Sequence, residues 1–316
     1  MNNEPKKTHQ LTEVNEVGFC PITKNPIRQT IRNTYSDRNL WIQLKNLIKF
    51  FLHKEISHIP KLYFNSDLQF GFFYPRPSIE FIKKYYGAES AEKIEACDRE
   101  YTHSSSLKNS ADKILNYIEK YAYNSAHFKN NASEIGPGLG WLTKAAISRG
   151  YNWTAIDSNP SITEYLHEEL GVNVINCLAK DLIGNYDLIA TVDSVEHFLN
   201  PLEELQTIYN HINVGGIFFI SVPNFNSITF TKNINLHRFF AYPAHLNYFT
   251  EKSLLHILKM VGFKNIKIES TNFEYEYAYI LEPYLINKEF SWINAIFTDE
   301  MNKSGNGERL FGICTK

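Results

Sequence analysis

From about residue 110 onward, the apolar positions of the chain switch regularly between two periods. Runs with apolar residues at every third or fourth place predict helices over Asn109–Tyr121, Trp141–Ser148, Ile162–Leu170, Leu202–Ile212 and Glu251–Val261. Between them, short β-branched and aromatic runs predict strands at Ala132–Ile135, Trp153–Ile156, Val172–Ile175, Asp187–Val192, Ile217–Val222 and Lys264–Glu269. Helices alternating with strands imply a parallel α/β sheet. Gly215-Gly216 and Gly262 are placed to stop the last two helices, since glycine takes up the left-handed C-terminal conformation. Before about residue 90 the alternation is lost. The boundary falls near 106, with an N-terminal extension over 1–105, expected to be mainly helical and lid-like, and an α/β domain over 106–316. Within the extension, residues 40–54 form an amphipathic pattern with Lys45, Lys49 and Lys54 near the polar side. That pattern suits a helix packed on the core or on a second subunit; its other use is contact with a membrane surface.

Composition narrows the class. Of 316 residues, 43% are hydrophobic and 21% charged, which describes a globular chain large enough for one domain and an appendage. A formal net charge of −2 lacks the basic field of a nucleic-acid-binding enzyme. Cys20, Cys97, Cys177 and Cys314 fit neither a disulfide framework nor a zinc knuckle. Polar Met1–Gln10 does not read as a secretory signal, and no apolar run reaches membrane-spanning length. The expectation is a cytoplasmic protein.

The segment Glu134-Ile135-Gly136-Pro137-Gly138-Leu139-Gly140 leaves a strand and enters a helix. Without Cβ atoms, Gly136, Gly138 and Gly140 let a ligand approach the backbone, and the first helical N–H groups favour an anion such as an amino-acid carboxylate. The spacing is G-x-G-x-G, whereas a dinucleotide loop needs G-x-G-x-x-G; Trp141 stands where the third glycine of that pattern belongs, so a nicotinamide-dependent oxidoreductase is disfavoured. Asp157 ends the next strand about 20 residues on, where a carboxylate can take both hydroxyls of a ribose. Asp157-Ser158-Asn159-Pro160 also reads as a helix start, so an N-cap is the competing role for Asp157.

Taken together, these residues resemble the class I S-adenosylmethionine-dependent methyltransferases, in particular the small-molecule branch containing quinone and sugar methyltransferases. The resemblance rests on Glu134-x-Gly136-x-Gly138-x-Gly140, Ala155-Ile156-Asp157, Tyr186-Asp187-Leu188-Ile189 followed by Asp193-Ser194-Val195-Glu196-His197, Gly215–Asn224, and Pro243–Thr250 leading to Gly262-Phe263. It implies a Rossmann-like seven-stranded sheet whose antiparallel last strand is Glu308–Cys314, and S-adenosylmethionine as cofactor. By that resemblance Glu134 lies near the methionine amino group, Asp157 binds the ribose with Ser158 beside it, and Asp193 and Val195 line the methionine side. Relatives often place an Asp near the adenine after the third strand. Here Asn176-Cys177-Leu178-Ala179-Lys180-Asp181 stands there, leaving Leu178 as an amide and apolar wall, with Asp181 late. The zinc module of some sugar methyltransferases is only echoed by Cys20-Pro21-Ile22-Thr23, and no metal is expected.

Methyl transfer from a sulfonium needs alignment and removal of the acceptor's proton. His197, just past the fourth strand, and His245, in the segment after the fifth, suit the second task near neutral pH. His197 could equally brace the turn before Asn200-Pro201, and His245 could equally be structural. Glu196 reads as a structural carboxylate. Phe225, Phe230, His237, Phe239, Phe240, Tyr242, Tyr248 and Phe249 around His245 form either a pocket for a ring-shaped acceptor or a packed lid. Phe273, Tyr275, Tyr277 and Tyr279 alternate as one face of a strand, and the insertion over 272–307 is long enough to add a helix over the acceptor or a homodimer contact. The function this supports is methylation of a small-molecule acceptor, preferentially at oxygen. The alternative is a catalytically inactive, methyltransferase-like binding subunit.

Overall fold

The period-two runs of the sequence bury both faces of one sheet, and the helices between them are sorted to those two faces. A computed structural model describes residues 18–27, 61–86, 105–122, 128–227, 230, 243–272 and 305–316. The extension contributes a small hairpin, β1 (Gly18–Phe19) and β2 (Pro26–Ile27), a second hairpin, β3 (Lys61–Asn65) and β4 (Phe70–Tyr74), and helix α1 (Ile79–Tyr86). The α/β domain then runs α2 (Ser105–Tyr121), β5 (Ala132–Ile135), α3 (Trp141–Ser148), β6 (Trp153–Asp157), α4 (Pro160–Leu170), β7 (Asn173–Asn176), β8 (Tyr186–Val192), α5 (Pro201–Asn210) and β9 (Ile212–Pro223). It ends with β10 (Asn247–Tyr248), α6 (Glu251–Val261), β11 (Lys264–Thr271) and β12 (Arg309–Thr315).

The main sheet has the order β11-β12-β9-β8-β5-β6-β7. Strands β7, β6, β5, β8 and β9 are mutually parallel, and β12 inserts antiparallel between β9 and β11. Alternation decides which face each side chain joins. In β9, Phe218, Ile220 and Val222 enter one core with Leu205 and Ile208 of α5 and Leu254, Ile257 and Leu258 of α6. Ile217 and Phe219 of the same strand enter the opposite core, with Ile114, Leu115 and Ile118 of α2, Leu142 of α3 and Leu166 of α4.

The extension, expected to be mainly helical, holds two hairpins and one helix among its described residues. Its second hairpin is not peripheral. Strand β4 pairs with β10, Asn247 opposite Phe72, so the order β10-β4-β3 forms a second sheet of three strands. Tyr63, Phe70 and Phe72 are buried in the same core as α5 and α6, each contributing about 1.5–3 kcal/mol. The amphipathic stretch 40–54, Cys97, His237, Phe239, Phe240, Tyr242, the tyrosine alternation 273–279 and nearly all of the insertion before β12 lie outside the described residues. Among the described residues no helix is long and apolar enough to cross a membrane.

One local expectation is corrected, and one open alternative is decided. Gly215-Gly216 does not end a helix: α5 stops at Asn210, where the His211 N–H caps the Thr207 and Ile208 carbonyls, and both glycines lie inside β9. They serve a strand irregularity. Gly215 has φ +78, and a Cβ on Gly216 would press on the Asp187 and Asn213 carbonyls, where the β8–β9 register shifts. The start of α4 is capped by Asn159, whose side chain accepts from the Ser161 N–H, so Asp157 is not the N-cap. Gly262 does close α6, at φ +109, with its N–H on the Leu258 and Lys259 carbonyls.

Candidate functional site

The glycine loop occupies the C-terminal end of β5, the middle of the parallel strands, where α/β sheets place their ligands. It is a tight turn: the Gly140 N–H bonds the Pro137 carbonyl at 3.0 Å, and the Gly136 N–H bonds the Ile156 carbonyl at 2.9 Å. Gly136, Gly138 and Gly140 all have positive φ, but their surroundings differ. A Cβ on Gly136 would collide with Ser194 Oγ, and one on Gly140 with Leu166. A Cβ on exposed Gly138 would meet nothing within 4 Å. Two glycines therefore exist for packing, and the third faces open space.

Glu134, at the last turn of β5, is buried and accepts from Thr143 Oγ1 of α3 at 2.7 Å. Burial pushes its carboxyl up to about 7, so near neutrality it is poised between acid and anion. Asp157 is partly buried at the end of β6; its Oδ1 accepts from the Asn159 N–H at 2.8 Å. Exposed Ser158 follows it. The Asp157 carbonyl takes the Cys177 N–H at 3.1 Å and Asn176 Nδ2 at 3.0 Å, which brings half-buried Leu178 alongside. Leu178 opens a 3-10 turn over Ala179–Asp181, and Asp181 points instead to Lys180 at 3.2 Å.

After β8 the chain makes a sharp corner. Asp193 has φ +53, a conformation that short polar side chains tolerate, and it forms an ion pair with the wholly buried Arg309 of β12. Ser194 Oγ donates to the Ile135 carbonyl at 2.9 Å and reaches the Val192 carbonyl at 3.1 Å, riveting the corner to β5. Val195 is wholly buried, with its side chain in the core. Glu196 is buried, neither carboxyl oxygen has a hydrogen-bond partner among the described residues, and burial beside Asp193 pushes its pKa well above the carboxylate range.

His197 and His245 are brought together. Their rings meet edge to face, with centroids 4.8 Å apart. His197 Nδ1 lies 2.8 Å from the Ala244 carbonyl and 3.0 Å from the Tyr86 hydroxyl. A carbonyl can only accept, so Nδ1 carries the proton and Nε2 is left with the lone pair. Burial lowers the His197 pKa, which favours the neutral ring. Glu196, His197 and His245 offer ligand atoms within 4.8 Å of one another. His197 Nδ1 is already committed to the Ala244 carbonyl, so that ring could offer a cation only its Nε2.

Five contributors were not singled out from the sequence. Asn247 Nδ2 reaches the Glu196 and Phe198 carbonyls at 3.2 and 2.7 Å, and its Oδ1 accepts from Arg76 at 2.6 Å. Arg76, half-buried and lowered by desolvation to about 10, also donates to the Phe198 and Leu199 carbonyls, both at 2.9 Å. Tyr86 and Asn159 join the extension to the sheet edge. Arg309 alone carried a signal: an arginine opening an apolar strand must find a partner.

Residues 116–268 match the methyltransferase domain family. Ubiquinone biosynthesis O-methyltransferase of Azotobacter vinelandii is 28% identical over 121 residues, covering 35% of this chain and 51% of that protein. The Pseudomonas aeruginosa protein of the same description is 30% identical over 102 residues, covering 29% and 44%. The chain thus spans about half the length of the curated relatives it matches. Among solved structures, Haemonchus contortus phosphoethanolamine N-methyltransferase 2 in complex with S-adenosyl-L-methionine superposes with a TM-score of 0.52 at 15% identity, over 90% of this chain and 75% of that one. The glycine corner, the strand order and the family match converge: residues 116–268 are a methyltransferase domain, built on the fold of the S-adenosylmethionine-dependent enzymes.

Proposed function

We propose that this protein transfers a methyl group from S-adenosylmethionine to a hydroxyl of a small-molecule acceptor, a phenol-type ring being the first class to try. The observation that carries the reading is His197: a neutral imidazole with its tautomer fixed, on the ligand edge of the sheet and one strand from the glycine loop. The quinone-pathway names of the curated relatives support oxygen as the acceptor atom and a ring as its carrier.

The pocket chemistry fits the cofactor. Gly138 leaves the loop open to an approaching ligand, the first N–H groups of α3 suit a carboxylate, Glu134 can ionise to meet an ammonium group, and Asp157 can accept two ribose hydroxyls. Leu178 offers an apolar wall to the adenine, and Asp193 borders the methionine end. When bound, the sulfonium supplies an already activated methyl group. The work of the chain is then to line up the acceptor oxygen and take its proton on His197 Nε2, with His245 beside it shaping the approach.

Calorimetric titration with S-adenosylhomocysteine, followed by incubation of S-adenosylmethionine carrying a labelled methyl with catechols, simple phenols and sugars, tests the reading. Micromolar binding and label on a phenolic oxygen are expected. Absence of binding would overturn it; binding without transfer to any acceptor class would favour a cofactor-holding subunit instead.

A further inference from the structure

Tyr86 is the last residue of α1 and makes two contacts across the ligand edge of the sheet. Its carbonyl accepts from Asn159 Nδ2 at 2.8 Å, at the corner after β6. Its hydroxyl lies 3.0 Å from His197 Nδ1, at the corner after β8. Strand β5, from which the glycine loop departs, lies between β6 and β8. One residue of the extension therefore bridges both sides of the loop.

Resting on the reading of His197 as the proton acceptor, we propose that Tyr86 is its positioning residue, holding the imidazole so that Nε2 is presented to the acceptor. Two oxygens converge on Nδ1, the Ala244 carbonyl at 2.8 Å and the Tyr86 hydroxyl at 3.0 Å. Because the carbonyl cannot donate, the single N–H is shared between them and the phenol contributes a lone pair. The rings also meet edge to face at 5.9 Å and 81°, which blocks rotation of the imidazole about its own bond to Cβ. Around His197 stand Asp193, whose carboxylate and backbone carbonyl both act on the ring, Glu196 on its own turn, His245 from the segment before β10, and Tyr86 from α1. Among these, Tyr86 and the Ala244 carbonyl are the groups shown on Nδ1. A tyrosine kept only for its ring would tolerate phenylalanine; one kept for its hydroxyl would not.

The test uses the full chain with S-adenosylhomocysteine added, and long-range proton–nitrogen NMR of its imidazoles, the His197 signals being identified by their loss in His197→Gln. The wild type should show a protonated Nδ1 and a bare Nε2. In Tyr86→Phe the Ala244 carbonyl keeps the proton on Nδ1, but the Nδ1 signal should shift and the imidazole signals broaden as the ring loses its second tether, with the melting temperature and S-adenosylhomocysteine affinity retained. On an acceptor turned over by the wild type, kcat should fall about tenfold with KM little changed. Unchanged nitrogen shifts in Tyr86→Phe would overturn the positioning role while leaving the base reading intact. Full turnover by His197→Gln would overturn the base reading itself, whatever Tyr86 does.

Discussion

Replacing Gly136 by alanine and, separately, Gly138 by alanine applies the same chemical change two residues apart in one loop. Both sites have positive φ, +72 and +52, so each alanine costs about 1–2 kcal/mol from the left-handed backbone alone. At Gly138 nothing further is met, and stability should fall by about that amount. At Gly136 the new methyl collides with Ser194 Oγ and lies 3.1 Å from Ser194 Cβ. Ser194 is buried, and its hydroxyl ties the corner after β8 to the Ile135 carbonyl, so it cannot swing aside without giving up that bond. Overpacking of a tight interior costs about 1–3 kcal/mol and the hydrogen bond about 0.5–1.5 more, for a total loss of about 2.5–6.5 kcal/mol with the backbone cost. Urea denaturation should rank Gly136→Ala well below Gly138→Ala. Binding should rank them the other way once the folded fraction is accounted for. The Gly138 methyl projects into the space a ligand would use, and S-adenosylhomocysteine affinity should drop more than tenfold by calorimetry. Equal stability losses would refute the wedge role of Ser194. Wild-type affinity in Gly138→Ala would refute the loop as the cofactor seat.

Asp157→Ala removes charge-assisted hydrogen bonds worth about 1.5–3 kcal/mol each, so S-adenosylhomocysteine should bind more than tenfold weaker; unchanged affinity would reduce Asp157 to its local bond with the Asn159 N–H. Burial raises Glu134 from 4.5 to about 7, so between those values the folded chain holds a proton that the unfolded chain has released. Stability from this group is therefore lost as pH rises through that window, by up to about 3 kcal/mol, and Glu134→Gln should flatten the urea stability profile there; an unaltered slope would contradict the burial argument. His245→Ala should lower turnover and leave S-adenosylhomocysteine affinity in place; wild-type turnover would confine His245 to packing. Treatment with a chelator should leave methyl transfer unchanged. Loss of transfer restored by a divalent cation would instead make Glu196, His197 and His245 a metal site.

The strands and helices of the α/β domain were legible because their signals are local. Ala132–Ile135, Trp141–Ser148 and Glu251–Val261 are bounded by glycines, a cap or a change of period within the segment itself. The Gly215-Gly216 pair misled because such a pair means the same thing to a sequence whether it ends a helix or kinks a strand; only the nearness of the Asp187 carbonyl to Gly216 decides. Asp157 and Asn159 compete for the same cap by chemistry, and the cap went to Asn159, leaving the acid at the strand end. The loop and its acid could be read because βα units place them at a fixed spacing. The partners of His197 could not. Tyr86 precedes it by 111 residues, and Ala244 follows it by 47. Neither residue type announces a role.

The same distance effect reshapes what the extension is. The sequence pattern divides near residue 106, yet β4 pairs with β10, which lies between β9 and α6 of the α/β domain. That pairing brings Asn247 opposite Phe72 and within reach of Arg76, and together Asn247 and Arg76 hold the carbonyls of residues 196, 198 and 199. A half-buried guanidinium satisfied by carbonyls and an amide is costly to disturb, because any shift strands several polar groups at once. The turn that carries His197 is thus fixed from below by Ser194 on β5 and from above by the extension. The base proposed at His197 would need a position that does not wander, and the rigidity of its turn comes from residues that a scan for reactive side chains passes over.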